Sequence, residues 1–133
     1  MITRRSQLQN PFVEPVSADP GIASAMLQEH LGYIADSVRL EHFRAAVRKV
    51  VKPGDCIADL GSGCGILGLL CFQAGAAHVD FVDQSAMIDV AQQTMARAGL
   101  RDRASFLHGR SQQIVLPERV DVAVCDHVGY FGF

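Results

Sequence analysis

The chain has 133 residues, 49% of them hydrophobic and 20% charged, with a formal net charge of −2. That is one domain at most, long enough to bury roughly two thirds of its unfolded surface. The near-neutral balance gives no electrostatic case for a nucleic acid or a membrane surface as partner, and no apolar run reaches membrane-spanning length. The four cysteines, Cys56, Cys64, Cys71 and Cys125, make no C-x-x-C pair and have no histidine at ligand spacing. Free thiols in a reducing, cytoplasmic compartment are therefore expected, with no metal site.

Residues 1–20 carry Pro11, Pro15 and Pro20 without periodicity, and an extended or disordered arm is expected there. A short helix is expected over Ile22–Leu31, ending near Gly32, and a stronger one over about Ile34–Val51. In the second, Val38, Phe43, Ala46, Val47 and Val50 fall near one face. After the turn Lys52–Asp55, Ile57–Leu60 reads as a buried strand and Ile66–Ala74 as a helix closed by Gly75. Val79–Val82 is a second strand, with Asp83 at its end. Ser85 caps a helix to about Ala98, and Ala104–Leu107 is a third strand. Gln112–Leu116 reads as at most a turn of helix, and Val120–Cys125 as a fourth strand ending at Asp126. Alternating strands and helices imply an α/β, Rossmann-like, mostly parallel sheet with right-handed crossovers. The expected strand order is 3-2-1-4, that of doubly wound nucleotide-binding sheets. Residues 21–133 form that domain.

Between the first strand and its helix stand three glycines at alternate positions, Gly61, Gly63 and Gly65. Glycine permits positive φ and lets backbone approach a ligand closely, and the helix beyond offers unpaired N–H groups. Two ligands compete for this loop. Gly63-Cys64-Gly65-Ile66-Leu67-Gly68 satisfies the G-x-G-x-x-G pattern of dinucleotide sites. Asp59 just before the loop favours a different ligand. A carboxylate there would repel a pyrophosphate and suits the ammonium and sulfonium of S-adenosylmethionine (SAM).

Ligands of such sheets sit beyond the C-terminal strand ends. That brings Asp59–Gly65, Asp83, Gly109–Gln112 and Asp126–Tyr130 to one edge. Asp83 lies where an acidic residue bonds a ribose hydroxyl, a role compatible with SAM and with NAD. Gly109, Arg110, Ser111 and Gln112 suit an adenine pocket. Arg39 suits a ligand carboxylate, held in bidentate fashion. Asp126 suits a cationic or protic nucleophile, with His127 beside it as a candidate base.

Four segments resemble class I SAM-dependent methyltransferases, and most closely the cofactor-binding half of the protein arginine methyltransferases. His30-Leu-Gly-Tyr-Ile-Ala-Asp-Ser-Val-Arg39 is similar to that family's His-x-x-Met-Leu-x-Asp-x-x-Arg helix motif. Asp59-Leu-Gly-Ser-Gly-Cys-Gly-Ile-Leu67 resembles its glycine motif, and Ala74-Gly-Ala-Ala-His-Val79 its approach to the second strand. Val120-Asp-Val-Ala-Val-Cys-Asp-His-Val-Gly-Tyr130 resembles its strand and loop ending in Met-Gly-Tyr. The resemblance implies that His30 and Arg39 lie over the methionine end of SAM, with Arg39 on its carboxylate. It implies that the loop from Gly61 through Ser62, Gly63 and Gly65 holds the cofactor, with Asp83 on the ribose. Gln112 stands where the family has an adenine-contacting Glu, and Asp126 where it has its first substrate-binding Glu. Tyr33-Ile34 replaces the Met-Leu pair. The second substrate Glu would follow a few residues beyond Tyr130.

The expected activity is methyl transfer from SAM to a protein or small-molecule acceptor, with S-adenosylhomocysteine (SAH) as product. An NAD-binding oxidoreductase domain and a SAM-binding fragment without catalysis are the alternatives. Class I methyltransferase sheets usually have seven strands and four are counted here, so the fold reads as truncated and incomplete at the C-terminus. The fourth strand would then be an apolar edge, expected to be covered by a second copy in a homodimer or by further C-terminal residues.

Overall fold

The computed structural model describes residues 20–126. Residues 1–19 of the N-terminal arm expected over 1–20, with His127 and the turn to Tyr130, lie outside the described residues, while Pro20 begins a helix.

Two helices lead into the sheet, α1 (Pro20–Ala35) and α2 (Ser37–Val50). The first does not stop at Gly32 but runs through it to Ala35. A glycine inside a helix costs only about 1 kcal/mol, whereas Asp36 is a strong N-cap. Asp36 leaves helical geometry (φ −76°, ψ 84°), and its Oδ1 accepts from Arg39 N at 3.0 Å. The second helix therefore starts at Ser37, not Ile34. Of its expected apolar face only Val47 is buried, while Val38 is 67% and Val50 55% exposed. The face turned to the core is narrower than the sequence pattern.

The sheet comprises β1 (Cys56–Leu60), β2 (His78–Asp83), β3 (Ala104–His108) and β4 (Val122–Cys125), in the order β3-β2-β1-β4. All three pairings are parallel, with Leu60 level with both Val82 and Cys125. Helices α3 (Ile66–Gln73) and α4 (Met87–Arg97) make the crossovers. β4 begins at Val122 rather than Val120. Asp121 instead clasps the start of β1: its N–H donates to Cys56 O at 2.8 Å and its Oδ2 accepts from Cys56 N at 2.9 Å. Ser85 caps α4 from one position further back than expected, its Oγ accepting from Met87 N at 3.2 Å. Residues 111–113 form a turn and no helix follows to Leu116.

The central strands are buried on both faces, as parallel strands between helices must be. Ile57, Cys71, Val79, Phe81, Ala91 and Met95 are fully shielded from solvent. Phe81 organises this core. It stacks on Phe106 with ring centroids 5.2 Å apart, and its edge lies where a Cβ on Gly68 of α3 would stand. The glycine lets α3 settle closer to the sheet than any side chain would permit.

Candidate functional site

The loop between β1 and α3 is knitted to the end of β2. Gly61, Gly63 and Gly65 take positive φ (70°, 53° and 88°), so the loop turns from β1 into α3 through left-handed backbone without Cβ strain. Gly61 N and Ser62 N both donate to Val82 O, at 2.9 and 3.0 Å. Gly63 N donates to Asp83 Oδ2 at 2.7 Å. The other oxygen of Asp83 accepts from Ser85 N at 2.7 Å and Ser85 Oγ at 2.6 Å. Gly109 N then donates to Asp83 O at 2.8 Å, tying in the end of β3.

Above these strand ends lies a cavity of about 480 Å³, roofed by α1 and the start of α2. His30, Tyr33 and Arg39 come from the helices, Gly61 and Ser62 from the loop, and Asp126 from the end of β4. A second lobe of about 320 Å³ shares Gly61, Asp83, Ser111 and Gln112 with the first and extends to Gly109 and Arg110. The sequence-derived residues within the described range thus gather around one two-lobed cavity, except two glycines. Gly63 lies under the His30 ring, which a Cβ on it would strike. Gly65 faces inward, where a Cβ would sit 3.1 Å from Ala91 and 3.2 Å from Phe81. Those two shape the loop rather than line the cavity.

Sequence reasoning missed Glu29, Tyr33 and Ser85, together with an apolar floor that includes Leu60 and Ile66. Tyr33 donates to Glu29 Oε1 at 2.7 Å. The signal for this pair was its i, i+4 spacing, hidden by ending the helix at Gly32.

Four features set the electrostatics. Asp59 is 1% exposed, and its Oδ2 accepts from Gly68 N at 2.8 Å, so one carboxylate oxygen is committed to the first turn of α3. Burial, with a smaller push from the Asp83 carboxylate, raises its pKa to about 7 against the pull of the Gly68 N–H. Arg39 is ion-paired with Asp126, and its guanidinium lies over the Tyr33 ring at 4.7 Å and the Phe43 ring at 5.4 Å. Burial likewise raises the Cys64 thiol, so it is not poised as a nucleophile. Finally, Ser62 Oγ is buried on the cavity wall with no hydrogen-bond partner among the described residues. A lobed cavity of this size suits an extended small molecule, and the carboxylates and glycine turn suit one carrying positive charge and a ribose.

Residues 57–132 match the family model described as a methyltransferase domain, and the chain belongs to that family. It is related to the protein arginine methyltransferases. It is 36% identical over 103 residues to the probable protein arginine N-methyltransferase 6 of Arabidopsis thaliana, covering 76% of this chain and 24% of the relative. It is 36% identical over 105 residues to protein arginine N-methyltransferase 1 of Schizosaccharomyces pombe, covering 77% of this chain and 31% of the relative. Among solved structures, the Trypanosoma brucei PRMT1 enzyme-prozyme complex with AdoHcy superposes with a TM-score of 0.68 at 29% identity, over 84% of this chain and 34% of that one. Arabidopsis thaliana protein arginine methyltransferase 10 also gives 0.68, at 32% identity over 74% of this chain and 29% of that one. The chain thus spans a quarter to a third of the length of these relatives.

Proposed function

We propose that this domain binds SAM in the two-lobed cavity and transfers its methyl group to a nitrogen acceptor, of the arginine type or a small-molecule relative. The observation that carries this reading is the glycine loop held against β2 by Asp83, with the partnerless Ser62 hydroxyl facing the cavity. A buried hydroxyl left without a partner is costly, and a ligand group would satisfy it.

The residues suit the parts of SAM. Asp83 already accepts three hydrogen bonds, and a carboxylate has about four lone-pair sites. One remains for a ribose hydroxyl. The smaller lobe, with Gly109, Arg110, Ser111 and Gln112, takes the adenine. Arg39 takes the methionyl carboxylate under the cover of His30, and the loop at Gly61 and Ser62 lies along the chain between. Asp59 lies beneath the ammonium, and its proton leaves when that charge arrives. When bound, SAM supplies an electrophilic methyl carbon on sulfur. The acceptor's lone pair forms the new bond to that carbon as the carbon–sulfur bond breaks, and a proton leaves the acceptor. Asp126 orients the acceptor, holds its positive charge and stands ready for that proton, with His127 next in the chain as a second candidate. The protein's contribution is proximity and electrostatic placement.

Isothermal titration calorimetry with SAH and with NAD tests the reading. SAH binding with a stoichiometry of about one is expected; binding of NAD alone would overturn it in favour of an oxidoreductase domain. Transfer of a radiolabelled methyl group would separate an enzyme from a domain that only holds the cofactor.

Two further expectations belong to the same reading. The free cysteines, with Cys64 and Cys71 buried, support a reducing cytoplasmic setting. The outer edge of β4, unpaired among the described residues, supports a covering layer, either a second copy or further chain.

A further inference from the structure

We propose that the smaller lobe accepts a purine without demanding its exocyclic amine, so that the domain takes the hypoxanthine form of its cofactor about as readily as the adenine form. The inference rests on the SAM reading above and deepens it by assigning Gln112, with Ser111, as the residues that set this tolerance.

The fixed acceptors around this lobe are already in use. Val82 O accepts from Gly61 N and Ser62 N, and Asp83 O from Gly109 N. Arg110 O accepts from Gln113 N at 2.9 Å and Ile114 N at 3.1 Å, which closes the turn after β3. Gln84 O lies 3.0 Å from His108 Nε2. The Asp83 carboxylate already takes three hydrogen bonds. The same turn leaves donors free: the N–H groups of Ser111 and Gln112 have no partner among the described residues. The Arg110 guanidinium beside them can only donate. An exocyclic amine needs an acceptor, and an exocyclic carbonyl needs a donor. This wall supplies the second at least as well as the first.

Deamination of adenine makes two exchanges. The exocyclic donor becomes an acceptor, and the adjacent ring nitrogen changes from acceptor to donor. A side-chain amide and a hydroxyl each carry both functions, so Gln112 and Ser111 can follow both exchanges by rotating. A carboxylate in the place of Gln112 could not, because it only accepts. Exposure points the same way. Strong rejection of an analogue requires a buried polar group that is left unpaired. Arg110, Ser111 and Gln112 are all exposed, so water takes up any bond that the base does not make.

Calorimetric titration of the full chain with SAH and with S-inosyl-L-homocysteine, its deaminated counterpart, tests the assignment. The two dissociation constants are expected to agree within about threefold. An inosyl ligand weaker than SAH by more than about tenfold would overturn the proposal. In Gln112→Glu an acceptor-only group faces the carbonyl, and the inosyl ligand should weaken relative to SAH by about fivefold or more. The quantity read is the ratio of the two affinities, so a general loss of binding in the variant does not imitate the effect. An unchanged ratio in Gln112→Glu would take the base-reading role from Gln112 and overturn the assignment. Binding of SAH alone by the unaltered chain would strike only this inference, whereas binding of neither ligand would strike the SAM reading itself.

Discussion

Asp59 shows how one buried side chain joins stability to ligand binding. Its folded-state pKa rises from 3.8 to about 7, chiefly through burial. Between those values the folded chain holds a proton that the unfolded chain has lost. Its contribution is therefore fully present below about pH 4 and lost as pH rises through 7, a swing on the order of 4 kcal/mol at most. Asp59→Asn keeps an oxygen for Gly68 N and removes the titration. Thermal midpoints of the native chain should fall between pH 4 and pH 8 relative to those of the variant. Parallel curves would show that Asp59 does not titrate in this range. An ammonium arriving beside Asp59 favours the charged form, so SAH should bind more tightly as pH rises from 6 to 8, with proton release seen by calorimetry in buffers of different ionisation enthalpy. Asp59→Asn should remove that slope. The sequence made Asp59 visible as a carboxylate beside a glycine turn. It did not reveal that one oxygen belongs to Gly68, because that contact depends on how closely α3 approaches β1.

At the scale of elements, the strand–loop–helix unit was legible, and both leading helices were expected, but their junction was not legible. β1, β2, β3 and the two crossover helices fell within a residue or two of expectation, because short apolar runs bounded by glycine and polar turns leave few alternatives. The junction of α1 and α2 was displaced because a glycine looks like a stop signal, while the stop is set by the Asp36 side chain reaching Arg39 N. Gly68 illustrates a further distinction. It sits in a helix, where alanine is favoured by about 1 kcal/mol, yet its added Cβ would overlap the Phe81 ring. Phe81 is fully buried and stacked on Phe106, so it has no room to yield. Overpacking of about 1–3 kcal/mol should win, and Gly68→Ala should lower the thermal midpoint by several degrees. In Phe81→Leu the same substitution should be much better tolerated, a non-additivity that a double-mutant cycle reads directly. An unchanged or higher midpoint for Gly68→Ala alone would mean that α3 shifts at little cost.

For the whole molecule, alternation gave the parallel sheet, and the order expected of doubly wound nucleotide-binding folds gave the gathering of four strand ends around one cavity. What chain order could not supply was the roof. Tyr33 and Glu29 enter the site through the angle between α1 and the sheet, which no local pattern encodes. The β4 edge carries its own consequence. Ala123 and Cys125 are exposed on a strand paired only with β1 among the described residues. Multi-angle light scattering of the 133-residue chain should show association that grows with concentration, and Ala123→Lys should suppress it by placing a charge on the edge. A monodisperse monomer at all concentrations would exclude self-pairing there.

The way α1 lies over the glycine loop has a kinetic meaning. Among its described side chains none is buried, and His30 touches down on Gly63 where a larger residue would hold it off. Such a helix should open at far less cost than the sheet beneath it. Amide hydrogens of α1 should exchange by local opening, well before those of β1 and β2. Saturating SAH should slow exchange across residues 27–35 and leave the sheet unchanged, so that the residence time of a bound molecule is set by how often this helix lifts.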